Sequence, residues 1–148
     1  RRLGYQDALL DHGLSIDPEL ILTEELSIEN GRKLGEQILA MEIPPDAVFS
    51  ASDFAAIGAI QSLKQHGVAI PDDIAFVGFS NESFTELVNP PLSTIDQQSK
   101  QMGKYAAELM IERLTSQHLN KPIRKTIISP KLIVRASSTL NHSITNTI

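Results

Sequence analysis

Helical and strand-like patterns of apolar residues alternate along the chain. Apolar positions recur at helical spacing from Arg2 to Asp11, between Ser27 and Pro44, and from Phe54 to Gly67. Ser27 can cap the second of these segments, and a glycine follows the first and the third, where a left-handed residue commonly ends a helix. The pattern therefore predicts three helices in the first half of the chain.

Short apolar runs between and after these helices predict the strands of a sheet. The predicted strands are Leu20–Leu22, Ala47–Phe49, Ile74–Val77, Leu92–Ile95, Thr126–Ile128 and Leu132–Val134. Ile74–Val77 is continuously apolar, as a strand buried on both faces is. Because helices of ten or more residues separate several of the strands, the sequence predicts an α/β fold with a three-layer, mostly parallel sheet.

The longest helical pattern lies in the second half of the chain, from about Gln98 to Ser116. We expect its apolar stripe to be buried. The stripe consists of Met102, Ala106, Leu109, Met110 and Leu114. The tail, residues 141–148, is polar and without periodicity, and we expect it to be disordered. Because the chain begins with Arg1 and has no initiating Met or signal-like segment, we expect it to be part of a longer protein.

Small polar residues follow two of the predicted buried strands. Ser52 and Asp53 come after Ala47–Phe49, and Ser80 and Asn81 come after Ile74–Val77. In parallel α/β sheets, ligands bind beyond the carboxyl ends of the strands, because helix N-termini and free amides converge there. We therefore predict a ligand-binding edge at these two turns. Two alternatives stay open: Asp53 can cap the helix that follows it, and the other three can be ordinary turn residues.

Composition and charge exclude several classes of function. The 148 residues carry a net charge of −5 with scattered Lys and Arg, so direct nucleic-acid contact by this chain is not expected. There is no Cys, no His or acidic pair at metal-ligand spacing, and no phosphate-binding glycine loop, and we therefore expect neither a metal nor a cofactor. The apolar runs are far shorter than the roughly 20 residues that cross a bilayer, so no membrane contact is expected.

A serine hydrolase is the enzyme alternative that the sequence raises. Ser80 directly follows a predicted buried strand, where the G-x-S-x-G elbow carries its nucleophile. Glu82 occupies the position of the second glycine, and His118 and His142 lie at a helix end and in the tail, where a catalytic His is not expected. We therefore predict no catalytic residues and no enzyme activity.

Several motifs, in order, resemble the C-terminal half of lactose-repressor-type (LacI family) transcription regulators. They are VFSASDFAAIGAIQSLKQHGVAIPDDIAFVGFSNE, NPPLSTIDQ, KQMGKYAAELM and SPKLIVRASST, and the likeness extends from Arg1 to about Leu140. The resemblance implies a periplasmic-binding-protein-like (type I) fold of two lobes with the effector between them. It assigns residues 1–97 and the returning strands at 122–140 to the C-terminal lobe, and the helix and crossover at 98–121 to the N-terminal lobe. That helix would then lack its natural sheet in this chain.

The resemblance also implies the residues that contact the effector, which would be a sugar or a sugar derivative. Arg1 matches the effector-binding arginine of the family's R-x-x-G motif, and Leu26 matches a position that stacks against the ligand and is commonly aromatic. Ser80 stands where the family usually has Asp, and a hydroxyl offers a sugar one weaker contact where a carboxylate accepts two hydroxyl groups. The implied effector-binding set is Arg1, Leu26, Ser52, Asp53, Ser80, Asn81 and Gln97.

The partners are implied by the resemblance as well. The family forms homodimers, and the matching contact positions are Ile57, Ile60, Leu87 and Val88. DNA would be bound only by a helix-turn-helix that precedes this chain, and effector binding would shift the lobe arrangement and so the operator affinity, in the cytoplasm. The alternative from another class is a periplasmic sugar-binding protein of a transporter, which shares the fold and would carry a signal peptide instead of a helix-turn-helix.

Overall fold

The computed structural model describes residues 1–115 and 125–139, in which helices and strands alternate over most of the chain. The helices are α1 (Arg2–Asp11), α2 (Ile28–Leu39), α3 (Asp53–Gln65) and α4 (Ser99–Thr115). The strands are β1 (Ala47–Phe49), β2 (Ala75–Phe79), β3 (Ser93–Asp96) and β4 (Lys131–Ile133). The four predicted helices are confirmed, because their spacing, caps and terminating glycines are local features that the sequence displays directly.

The four strands form one sheet in the order β1-β2-β3-β4. β1, β2 and β3 are parallel, and β4 pairs antiparallel with β3 through Thr94 and Ile133. The prediction of a mostly parallel sheet is confirmed. Because the first three strands run in the same direction, their carboxyl ends lie at one edge of the sheet.

The core lies between α3 and the sheet. Phe76 in the middle of β2 and Leu63 of α3 are completely buried. α3 is apolar on almost every side and is correspondingly buried along most of its length. The buried apolar cluster consists of Ile38, Ala56, Ile57, Ala59, Ile60, Leu63, Ile74, Phe76 and Leu92.

Two glycines allow α2 and α3 to pack with their backbones in contact. A Cβ atom on Gly58 of α3 would collide with the carbonyl oxygen of Ile28, and one on Gly31 of α2 would collide with the carbonyl oxygen of Ala55. Neither carbonyl can move without moving its helix. The close approach of the two helices therefore requires glycine at both positions.

The strand predicted at Leu20–Leu22 is wrong. Pro18–Leu20 form a short 3-10 helix, and the Asp17 side chain accepts a hydrogen bond from the Glu19 amide at 2.9 Å at its start. The residues that follow line one side of a cavity of about 390 Å³ that β1 also lines. Because this space separates the segment from β1, its backbone has no neighbouring strand to pair with.

The strand predicted at Thr126–Ile128 is also wrong. Residues 125–130 have no regular secondary structure, and the following strand is β4. β4 already occupies the outer edge of β3, where Thr94 to Asp96 pair with Ile133 to Lys131. The outer edge of β3 is therefore not available to residues 126–128.

The apolar stripe predicted to be buried on α4 is exposed in this chain. α4 has no buried residue, and Met110 and Leu114 are 65% and 76% exposed. Within the described ranges, no element covers the stripe. The division into lobes at residues 97 and 121 stays a prediction, and the tail at 141–148 lies outside the described residues.

No helix in the described part of the chain is both long enough and apolar enough to span a membrane.

Candidate functional site

Three strand ends bring the predicted polar residues to one edge of the sheet. Ser52 and Asp53 follow β1, Ser80 and Asn81 follow β2, and Gln97 follows β3. The Gln97 Nε2 group donates a hydrogen bond to the Ser80 hydroxyl at 3.1 Å. The edge is therefore assembled from turns that are far apart in the sequence.

Asp53 connects all three strand ends from a fully buried position. It is 0% exposed, and its Oδ1 accepts a hydrogen bond from the Thr94 hydroxyl at 2.6 Å while its Oδ2 accepts from the Glu82 amide at 2.9 Å. The capping alternative is wrong, because Ser52 is the N-cap residue of α3 and the Asp53 carboxylate bonds across the sheet instead. Since both oxygens have partners within the chain, the carboxylate holds the turns together.

Gly78 of β2 leaves the space that the Asp53 carboxylate occupies. A Cβ atom at this position would collide with Asp53 Oδ1 and would lie 3.1 Å from the Leu92 side chain. A glycine inside a strand often marks such a close approach.

The turn that follows β2 has an unusual backbone conformation. Ser80 has a φ of 128° and Asn81 a φ of 57°, values that residues with a side chain seldom adopt. The Ser80 amide donates to the Ile95 carbonyl at 3.0 Å, and the Asn81 amide donates to the Thr94 hydroxyl at 3.3 Å. Backbone strain of this kind is concentrated at ligand and active sites in proteins.

Arg1 reaches the same edge from the start of the chain. Its Nη1 donates to the Ala51 carbonyl at 2.7 Å, and its guanidinium carbon lies 4.0 Å from the centre of the Phe79 ring. Ala51 and Phe79 directly precede Ser52 and Ser80. A cation over an aromatic ring is attracted to its face, so two contacts fix the guanidinium beside both turns.

Leu26 lies on the rim of the cavity beside β1. It is 48% exposed and lines the cavity together with Arg1. The other predicted effector contacts do not line this cavity, which is bounded mainly by apolar side chains. The structure thus brings Arg1 to both the cavity and the polar edge, whereas Leu26 lies at the cavity alone.

Arg135 makes a contact with the edge, at Asn81, that the sequence analysis missed. Its Nη1 donates to the Leu92 carbonyl at 2.8 Å and to the Thr85 hydroxyl at 3.2 Å. Its Nη2 donates to Asn81 Oδ1 at 3.2 Å and to Glu86 Oε1 at 2.8 Å. The available signal was a single arginine just after an apolar strand, in the motif SPKLIVRASST.

The residues predicted at a dimer interface fall into two groups. Ile57 and Ile60 are only 7% and 4% exposed, because α3 packs against both α2 and the sheet. Val88 is partly buried and packs against the core, whereas Leu87 is 85% exposed. Of the four, only Leu87 offers a large apolar area to solvent.

Two aromatic residues adjoin Leu87: Phe54 is exposed, and Phe84 is partly buried against the core. The Phe54 ring is 40% exposed, and its centre lies 4.9 Å from that of Phe84. Phe84 belongs to the 3-10 helix Ser83–Glu86, which Leu87 ends. We call Phe54, Phe84 and Leu87 the aromatic surface.

Among residues 1–115 and 125–139, the surroundings of Ser80 do not provide the His that a serine nucleophile needs as its base. His12 and His66 each bond a backbone carbonyl of their own helix, and Gln97 is the partner of the Ser80 hydroxyl. His118 and His142 lie outside the described residues. Within the described residues there is also no group of three or more His, Cys, Asp or Glu side chains that could hold a metal ion.

The mostly parallel sheet and the polar edge at its strand ends define a class of protein. They are the features of a periplasmic-binding-protein-like domain, in which ligands bind beyond the strand ends. The family model described as "Periplasmic binding protein-like domain" matches residues 1–138, which confirms the predicted fold class.

Within that class, the relatives of this chain are transcription regulators. It is 35% identical over 138 residues to the HTH-type transcriptional repressor CytR of Escherichia coli, covering 93% of this chain and 40% of that protein. It is 31% identical over 137 residues to the ribose operon repressor of Haemophilus influenzae, covering 93% of this chain and 41% of that protein. The chain belongs to the LacI family, and it spans about two fifths of the length of these curated relatives.

Solved structures of regulators have the same fold. A complex of the transcriptional regulator CelR with cellobiose superimposes with a TM-score of 0.83 at 30% identity, covering 91% of this chain and 41% of that one. A putative LacI regulator from Bacillus cereus superimposes with a TM-score of 0.86 at 29% identity, covering 94% of this chain and 49% of that one.

Proposed function

We propose that this chain is the effector-sensing part of a LacI-type transcription repressor. The observation that carries the proposal is the convergence of Arg1 with the turns after β1 and β2, where its guanidinium lies 4.0 Å from the Phe79 ring and bonds Ala51. The relatives named as repressors support a regulator over a transporter's periplasmic binding protein. This chain has a net charge of −5, which does not favour binding to the phosphate groups of DNA. In this proposal, DNA is bound by a helix-turn-helix outside this chain. The cytoplasm is the corresponding location.

In this proposal the polar edge is one wall of an effector cleft. Arg1 supplies a planar set of donors, and Ser80 and Gln97 supply a hydroxyl and an amide. Asp53 acts by holding the turns in place. A ligand that binds one lobe arrangement better than the other shifts the equilibrium between them, and so changes the affinity for the operator.

The proposed effector class is a sugar or a sugar derivative. A guanidinium and short polar side chains suit hydroxyl and carboxylate groups, and one regulator of the same fold was solved with cellobiose. The experiment that tests the proposal is a thermal-shift screen of sugars, sugar acids and sugar phosphates against the full-length protein, because a ligand of the folded state raises its melting temperature. A complete absence of stabilising compounds would count against a carbohydrate effector.

Arg1→Ala is expected to weaken binding of the strongest compound from that screen at least tenfold. A hydrogen bond to a charged group contributes about 1.5–3 kcal/mol, and the substitution removes every donor of the guanidinium. The melting temperature of the free protein should stay close to that of the wild type, because Arg1 is exposed. Calorimetric titration measures the affinity, with Arg32→Ala, an exposed arginine on α2, as the control. Equal affinity in Arg1→Ala and the wild type would remove Arg1 from the site.

We also propose that the full-length protein forms a homodimer through the aromatic surface. Leu87→Glu is expected to raise the dimer dissociation constant at least tenfold, because it puts a charge into an apolar contact. Sedimentation velocity at several concentrations measures the effect. Ile43→Glu is the matched control, since Ile43 is 83% exposed and Leu87 is 85% exposed. If both variants sediment like the wild type, the aromatic surface is not the interface.

A further inference from the structure

The orientation of the Asn81 side-chain amide is determined by Arg135. A guanidinium carries five N–H donors and no acceptor, so an amide can face it only with its oxygen. Asn81 Oδ1 accordingly lies 3.2 Å from Arg135 Nη2. The Nδ2 group is therefore the end of the amide that remains for other partners.

The Asn81 Nδ2 group is also not fully buried. Among the described residues, Asn81 makes its side-chain hydrogen bond through Oδ1, and none is present at Nδ2. Every buried side-chain nitrogen or oxygen in the described ranges has a hydrogen-bond partner. An amide nitrogen without a partner in this part of the chain consequently keeps some contact with water.

Arg135 is rigid enough to impose this orientation. Its side chain is only 12% exposed. Its Nη1 bonds the Leu92 carbonyl and the hydroxyl of Thr85, and that hydroxyl is itself fixed by donating to the Glu82 carbonyl at 2.7 Å. A side chain held by several fixed partners positions its neighbours precisely.

The neighbouring polar groups at the edge are also placed to donate. The Ser80 oxygen accepts from Gln97, which leaves the hydroxyl proton of Ser80 to be donated. The Asp53 carboxylate, which in another setting accepts hydrogen bonds from sugar hydroxyls, is buried with both oxygens occupied. Arg1 adds a positive charge and further donors.

We propose that Arg135 is a positioning residue that presents Asn81 to the effector as a hydrogen-bond donor. The edge then selects a ligand with an anionic acceptor group, the carboxylate of a sugar acid or the phosphate of a sugar phosphate, over the neutral parent sugar. This inference rests on the proposed effector-binding function, and it specifies the chemistry of the ligand at that same edge.

Calorimetric titration of the full-length protein tests the ligand class. The probes are ribose with ribose 5-phosphate, glucose with glucuronate, and inorganic phosphate alone. We expect the anionic member of at least one pair to bind ten or more times tighter than its neutral parent. A larger gain in affinity for ribose 5-phosphate over ribose indicates a phosphate ligand, and a larger gain for glucuronate over glucose indicates a carboxylate ligand. The affinity for inorganic phosphate shows how much of the binding needs no sugar. Neutral sugars that bind as tightly as the anions overturn the proposal.

Variants test the positioning role. Asn81→Asp replaces the donor by an acceptor and should lower the affinity for the anionic compound at least tenfold. Arg135→Gln should lower it about fivefold or more, and adding Asn81→Ala to Arg135→Gln should have little further effect, because Arg135 acts through Asn81. Arg32→Gln is the matched control and should bind like the wild type. If the loss of affinity in the double variant equals the product of the losses in the two single variants, the two residues act independently and the positioning role is overturned. If Arg135→Gln does not fold, Arg135→Lys replaces it, since a lysine keeps the charge but cannot bond all the partners of the guanidinium.

A ligand-free measurement separates this inference from the proposed function. In the full-length protein with ¹⁵N-labelled asparagine, the side-chain signal of Asn81 should shift in Arg135→Gln and stay in place in Arg32→Gln. An unshifted signal overturns the positioning role whatever binds. If the signal shifts but none of the five probes binds, the anion preference is overturned; if the wider screen also finds no stabilising compound, the carbohydrate function fails with it.

Discussion

Replacing Gly58 by alanine is expected to lower the free energy of unfolding by about 2–3 kcal/mol, the upper part of the range of about 1–3 kcal/mol that an extra methyl group in a well-packed contact usually costs. The new Cβ atom would collide with the carbonyl oxygen of Ile28, so α2 and α3 would have to separate. The loss should exceed the gain of roughly 1 kcal/mol that alanine brings to a helix interior.

The matched control for this prediction is Gly103→Ala. Gly103 lies within α4, and a Cβ atom there would meet nothing within 4 Å. The same substitution should therefore stabilise the chain by up to about 1 kcal/mol through helix propensity alone. Urea unfolding monitored by circular dichroism measures both variants. A Gly58→Ala protein as stable as the wild type would mean that the two helices do not pack with their backbones in contact.

Asp53→Ala is expected to lower the free energy of unfolding by about 2–4 kcal/mol. The substitution leaves the Thr94 hydroxyl without its acceptor and the Glu82 amide without a partner, and each buried unsatisfied group costs about 1–3 kcal/mol. Because both groups belong to the turns at the ligand edge, effector binding should fall together with stability.

Asp53→Asn separates hydrogen bonding from charge at the same position. The asparagine keeps the shape of the side chain and one acceptor oxygen, which can still bond the Glu82 amide, so it should cost less than half as much as Asp53→Ala. Chemical denaturation of the three proteins at one pH provides the comparison. Equal losses in the two variants would show that the hydrogen bonds of Asp53 contribute little and that its negative charge is what the fold requires.

The helices and the ligand edge were predictable because their signals are local. Ser27 accepts the capping hydrogen bond of α2 from the Asn30 amide at 3.2 Å, as its place before a helical pattern indicated. The continuous apolar run before Gly78 marked β2 as a strand, but only alternate residues, Phe76 and Gly78, are buried in this chain, so the expected burial on both faces is not complete. The positions of Ser52 and Ser80 at one edge then followed from the direction of parallel strands.

Features that depend on distant partners were not predictable in the same way. The bond from Thr94 to Asp53 spans 41 residues, and the one from Arg135 to Asn81 spans 54. No spacing rule in the sequence connects such pairs. The short apolar run at Leu20–Leu22 has strand-forming residues, but a strand also requires a neighbour, and composition does not show whether one is within reach.

A local pattern in the sequence indicated that Ile57 and Ile60 are buried in the core, whereas the family resemblance assigned them to a dimer interface. The segment from Ala55 to Ile60 is apolar or glycine at every position, so the helix has no polar face there. A helix that is apolar all round is buried in the interior. The exposed residue at the start of the same helix is Phe54, which contributes to the aromatic surface instead.

The unpaired outer edge of β1 has a practical consequence for anyone producing the chain by itself. Among the residues that the structure describes, β1 has β2 as its partner on one side only, and Phe49 on this strand is 42% exposed beside the apolar cavity. An open strand edge is a template on which another extended polypeptide can add by backbone hydrogen bonds. Molecules can therefore associate at this edge when the protein is concentrated. The yield of monomer then depends on the protein concentration as well as on the free energy of folding.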